Sequence, residues 1–144
     1  MLMNNYSRAD VGFVRGDGAI LWDDSGKDYI DFASGIGVCS LGHSHKSITK
    51  VIAKQAKTLL HTSNLYNIAP QTRLANKISN LLGGEYELFF LISGAEANEC
   101  AIKAARLYSF NKYGEGRSTI VTLKNSFHGR TITTLAATGQ DVFH

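Results

Sequence analysis

The sequence predicts an α/β fold with a parallel sheet in its second half, and three observations carry that prediction. The run "ELFFLI" at 87–92 is continuously apolar after Glu87, as in a strand buried on both faces. A helical pattern follows from Gly94 to Tyr113, stopped by Gly114 and Gly116. A second apolar run, "STIVTL" at 118–123, comes next. Strand, long helix, strand is a βαβ unit, whose crossover places its two strands parallel.

The elements before it are shorter. Strand-like runs at Gly12–Arg15, Ala19–Asp23 and Asp28–Phe32 are separated by Asp17-Gly18 and Ser25-Gly26, both good hairpin signals. They predict a small antiparallel meander. The stretch "ASGIGVCSLGHSHKS" is glycine-rich and predicts an irregular loop. From Lys46 to Leu60, Ile48, Val51, Ile52, Ala56, Leu59 and Leu60 fall mostly at helical spacing. Pro70 suits the first turn of another helix over Gln71–Leu82, which Gly83-Gly84 would stop. Two parallel strands and one crossover leave exposed edges and an uncovered face, so the second half is expected to be a truncated piece of a larger domain.

Composition narrows the function classes. Of 144 residues, 44% are hydrophobic and 19% charged, which is ordinary for a globular chain. The net charge of +3 comes from scattered Lys and Arg and gives no argument for nucleic acid. The start "MLMNNYSRAD" lacks a signal-peptide pattern, and "LFFLI" is far too short to cross a bilayer. Cys39 and Cys100 have no metal-type or redox spacing and read as free thiols in a reducing compartment. No membrane association and a cytoplasmic location are expected.

The sharpest chemical signal is Ser93-Gly94-Ala95-Glu96, where the first apolar run ends. It fits the S-x-x-E capping box, with Ser93 accepting from the Glu96 amide and Glu96 reaching back. A cap alone does not need two tiny residues. At the carboxyl edge of a parallel sheet, Gly94 and Ala95 leave their amides open to close approach. Those amides and the helix dipole make an anion site best suited to a phosphate.

"FFLISGAEANE" followed by "AIKAAR", with "SFHGRT" at 126–131, resembles the class III aminotransferases. "LWDDSGKDYIDFASGIGVCSLGHSH" and "HTSNLYN" are similar to the family's amino-terminal region, so the likeness runs nearly end to end. It implies the amino-terminal part of a type I fold for pyridoxal 5'-phosphate enzymes. Residues 1–60 would be the amino-terminal segment and part of the small domain, and 61–144 the first part of the large cofactor-binding domain. It also implies roles. The amides of Gly94 and Ala95 would hold the cofactor phosphate, Phe127 would lie against the pyridine ring, and Arg130 would bind the substrate α-carboxylate. The pattern is most like that of members taking N-acetylornithine as amino donor and 2-oxoglutarate as acceptor in arginine biosynthesis. Ornithine, succinylornithine and 4-aminobutyrate are the alternative donors. The family works as a homodimer.

Two positions depart from the family pattern: Ile92 stands where Asn is usual, and Lys46 where Pro is usual. Neither change touches the implied contacts. The family's Schiff-base lysine, its pyridine-nitrogen aspartate and a threonine given by the partner subunit have no counterpart here. The lysines present, among them Lys103, Lys112 and Lys124, sit in other contexts. No catalytic residue is therefore expected within these 144 residues, and the chain alone is expected to be inactive. A rival reading takes Cys39, His43, His45 and His61 as zinc ligands, but no second short-spaced pair completes a tetrahedral set. "GIGVCSLG" is a poor dinucleotide fingerprint, because Gly42 comes two residues late and no strand leads into it.

Overall fold

The meander forms as the turn signals require. In the computed structural model, which describes residues 2–144, strands β1 (Phe13–Asp17), β2 (Ile20–Asp23) and β3 (Asp28–Ile30) pair antiparallel in the order β1-β2-β3. The register sets Asp17 opposite Ile20 and Leu21 opposite Tyr29, with a bulge between Phe13 and Arg15. Asp23 closes the second turn. Its carboxylate accepts from the Ser25 amide (3.0 Å), the Ser25 hydroxyl (2.7 Å), the Lys27 amide (2.9 Å) and the Tyr29 hydroxyl (2.9 Å). Across the sheet the Arg15 guanidinium stacks 3.8 Å from the Trp22 ring centroid.

The glycine-rich loop holds a surprise. Residues Ser34–Gly37 make a single helical turn, α1, but its φ angles are +49° at Ser34, +59° at Gly35, +60° at Ile36 and +81° at Gly37. The turn is left-handed. For L-residues that hand costs about 1–2 kcal/mol per residue, and a β-branched residue there is uncommon. Hydrogen bonds hold it in place. Asp31 Oδ1 accepts from the Ala33 and Ser34 amides at 3.0 and 2.8 Å, and the Cys39 amide donates to Ser34 O at 2.9 Å. The other Asp31 oxygen lies 2.7 Å from His43 Nε2. Gly18 and His43 exchange backbone hydrogen bonds of 3.0 and 2.8 Å, which tie the loop's end to the first hairpin. Helix α2 (Lys46–Thr58) follows. It starts at Lys46 without proline and with no side-chain cap from His45.

These elements belong to one compact unit, Met1–Ile68; the second is Ala69–His144. In the second, α3 (Ala69–Leu81) carries Pro70 in its first turn and ends on Gly84, whose amide donates to Ser79 O at 2.8 Å. Helix α4 (Gly94–Tyr113) runs between the bounds the sequence implies. A short helix, α5 (Ile132–Ala137), and a 3-10 turn at Asp141–Phe143 complete it.

One expectation fails. Neither 87–92 nor 118–123 is a strand, and no parallel pair exists among the described residues. Nor are the runs buried: Ile92 is 92% exposed and Val121 89% exposed. The reason is physical. A strand exists by virtue of a hydrogen-bonded neighbour, and here neither run has one. The same shortage shows in burial, since no apolar side chain is buried among the described residues.

Candidate functional site

The site is built on the first two turns of α4. Ser93 is extended (φ −141°, ψ 159°), and its hydroxyl accepts from the Glu96 amide at 3.2 Å. Glu96 does reach back, but to the Ile92 amide at 3.1 Å rather than to that of the cap residue. The group it meets at position 92 is backbone, so the unusual side chain there does not disturb the box. With Glu96 and Ala97 donating to Ser93, the amides of Gly94 and Ala95 are the helix's open donors among the described residues. A Cβ placed on Gly94 would meet no other part of the protein within 4 Å, so the helix start is open on the Gly94 side. Open amides, a helix N-terminus and clear space fit a phosphate ester.

The second part of the site is the loop 126–131. Gly129 is buried, with φ +131°. A Cβ there would stand 2.7 Å from Ala95 Cβ and 2.6 Å from Thr134 Oγ1. Only a glycine lets the loop settle so close to α4. The contact brings Ala95 and the segment carrying Phe127 and Arg130 together.

Hydrogen bonds fix that segment from both sides. Asn98 Nδ2 donates to the His128 carbonyl at 2.8 Å. Thr131 Oγ1 donates to the Glu99 carboxylate in a short contact. Thr138, 3% exposed, accepts from the His128 amide at 3.0 Å and donates to Thr134 O at 2.9 Å. Thr131 and Thr134 form a reciprocal capping box at the start of α5. Where the chain returns, Asn125 and Gly139 pair through a 2.8 Å backbone bond. The Glu99 carboxyl is held below the usual glutamate range chiefly by the Thr131 hydroxyl; partial desolvation opposes this, and donors on Thr133 and Thr134 add to it.

Phe127 and Arg130 both lie exposed on this loop. The Arg130 guanidinium carbon stands 5.9 Å from the Phe127 ring centroid and 5.2 Å from that of Phe143. The two rings are themselves 5.4 Å apart. Arg130 thus lies within cation–π reach of both rings, and its planar guanidinium is of the type suited to bidentate recognition of a carboxylate.

Sequence reasoning missed Asn98, Glu99, Gly129, Thr134, Thr138 and Phe143. The repeated threonines of "RTITT" were a legible sign of the α5 cap. Nothing local in the sequence marks Asn98 or Glu99, whose partners lie 30 and 32 residues away. The rival zinc residues do not converge: no group of three or more His, Cys, Asp or Glu gathers among the described residues. His43 pairs with Asp31, and His61 Nε2 accepts from the Ser63 amide.

Known proteins are similar to this chain in sequence and fold. The family profile described as Aminotransferase class-III matches residues 2–144. The acetylornithine aminotransferase of Wolinella succinogenes is 55% identical over 144 residues, covering 99% of this chain and 37% of its own length. The crystal structure of N-acetylornithine aminotransferase from Stenotrophomonas maltophilia superposes with a TM-score of 0.77 at 39% identity, over 86% of this chain and 34% of that one. An ornithine aminotransferase from Toxoplasma gondii, with PLP partly occupying its active site, gives 0.86 at 27% identity, over 99% and 34%. The chain spans about a third of the length of these relatives, the amino-terminal third of a type I aminotransferase fold. With its motifs, its small antiparallel sheet and its long capped helix all accounted for, the chain belongs to the class III aminotransferases, a family that uses pyridoxal phosphate.

Proposed function

We propose that these residues form the amino-terminal third of a cytoplasmic, homodimeric aminotransferase of arginine biosynthesis. It moves the δ-amino group of N-acetylornithine to 2-oxoglutarate. The observation that carries this reading is the seating of the Phe127–Arg130 loop on the first turn of α4, beside two open amides. A phosphate and a carboxylate then have separate, adjacent binders. The identity to acetylornithine aminotransferases of about half supports the choice of donor.

In this reading Gly94 and Ala95 donate their amides to the cofactor phosphate, at the positive end of the α4 dipole. Phe127 presents an aromatic face to the pyridine ring. Arg130 clamps the substrate α-carboxylate and so orients the distal amine toward the reacting atom. Pyridoxal phosphate, when bound, supplies the electron sink that transamination requires. The apolar runs 87–92 and 118–123 become buried strands when the rest of the large domain gives them ladder partners.

A panel of amino donors tests the assignment. The full-length protein that carries these residues is loaded with pyridoxal phosphate, and each donor is added in turn. N-acetylornithine should change the cofactor absorption and support glutamate formation from 2-oxoglutarate. A response to 4-aminobutyrate or ornithine at least as strong overturns the donor assignment.

A further inference from the structure

The loop bearing Phe127 and Arg130 is held by residues placed one helical turn beyond the open amides. Asn98 follows Gly94 by four residues, and Glu99 follows Ala95 by four, so each pair shares a face of α4. Asn98 takes the carbonyl of His128, and Glu99 takes the hydroxyl of Thr131. The dipeptide Gly129-Arg130 is therefore clamped at both ends to the helix whose first turn offers the phosphate amides. Between the clamps, Gly129 rests on Ala95.

Of the two clamps, Glu99 does more. A carboxylate accepting from a hydroxyl makes a charge-assisted bond, stronger than the neutral amide–carbonyl bond of Asn98. Because Thr131 is also the N-cap of α5, the Glu99 contact joins the loop, the start of α5 and α4 through one hydroxyl. Thr131 is shared: it donates to Glu99 and caps α5 at Thr134.

We propose that Glu99 is a positioning residue, which through Thr131 sets where Arg130 and Phe127 stand relative to the amides of Gly94 and Ala95. The claim rests on the functional reading above and deepens it. Glu99 touches neither ligand; it acts through Thr131 on the residue that takes the carboxylate. Its loss should be felt most by the substrate carboxylate, because Arg130 adjoins the clamp directly.

The full-length protein provides the test, with Glu99→Gln, Thr131→Val and Thr131→Ser compared with the native chain. Three quantities are read: hydrogen exchange of a peptide spanning 126–134 without cofactor, pyridoxal phosphate affinity of the cofactor-free protein, and KM and kcat for N-acetylornithine. Glu99→Gln and Thr131→Val should each raise KM about tenfold while kcat stays within about threefold. Exchange across the loop should rise by a similar factor, and the Thr131→Ser variant, which keeps the hydroxyl, should stay within about twofold of native. The double variant should be no worse than Thr131→Val alone, since that variant already lacks the hydroxyl that Glu99 binds. Faster exchange with unchanged KM makes Glu99 merely structural and overturns the proposal, as does no change in any quantity. If Glu99→Gln fails to fold, Thr131→Val gives the same reading. A native protein that takes up no pyridoxal phosphate overturns the functional assignment itself, and the positioning role with it.

Discussion

A methyl group at position 129 has nowhere to go. It would stand 2.7 Å from Ala95 Cβ, on a backbone at φ +131° that side chains rarely adopt. Gly129→Ala is therefore expected to destabilise the full-length protein by about 2 kcal/mol or more, read as a shifted urea midpoint. Position 94 is the opposite case. A Cβ there meets no other part of the protein within 4 Å, so Gly94→Val should leave the urea midpoint nearly unchanged. It should nevertheless weaken retention of pyridoxal phosphate at least tenfold, because the added groups occupy the phosphate's approach. Equal losses of stability and retention in both variants would mean that the two glycines do the same job. The sequence made Gly94 legible because its purpose is local, a tiny residue at a capped helix start. Gly129 was not legible, since its purpose is a contact with a helix 34 positions earlier in the chain.

Elements that close on themselves were read correctly; elements that need a distant partner were not. The hairpins, α2, α3 and α4 carry their own turn residues, periodicity and stops, and each forms close to the expected bounds. The runs 87–92 and 118–123 have the composition of strands but lack a ladder partner, and composition cannot supply one. In α1 the glycines permit a left-handed turn, yet what selects it is Asp31, held in turn by His43. The cap of α4 is testable on its own terms. Ser93→Ala removes the acceptor of the Glu96 amide and should cost about 0.5–2 kcal/mol in the urea midpoint. The start of α5 should respond to acid. The folded Glu99 carboxyl titrates below the usual 4.5, so the unfolded chain binds more protons in that range. Its contribution is complete above pH 4.5 and fades as the pH falls through the folded value. The difference in Tm between native protein and Glu99→Gln should therefore shrink as the pH falls from 4.5 through the folded value; a difference that does not shrink on acidification would contradict the assigned contact.

At the scale of the whole molecule, surface decides. The chain exposes 12640 Å², whereas two compact globules of half its mass each would expose about 8,800 Å² in all. Phe89, Ile92, Leu107, Val121 and Leu123 are among the apolar side chains left in water. With no buried apolar side chain among the described residues to offset conformational entropy, the 144 residues expressed alone should unfold without a cooperative urea transition. A sharp two-state transition of the isolated chain would refute that. In the proposed full-length enzyme the same surface would become interior. The most direct measurement of the central claim is a crystal structure of the full-length protein with pyridoxal phosphate bound. The account predicts phosphate oxygens about 3 Å from the nitrogens of Gly94 and Ala95, with Phe127 against the ring. A phosphate seated away from the start of α4, with those two amides turned to solvent, would contradict it.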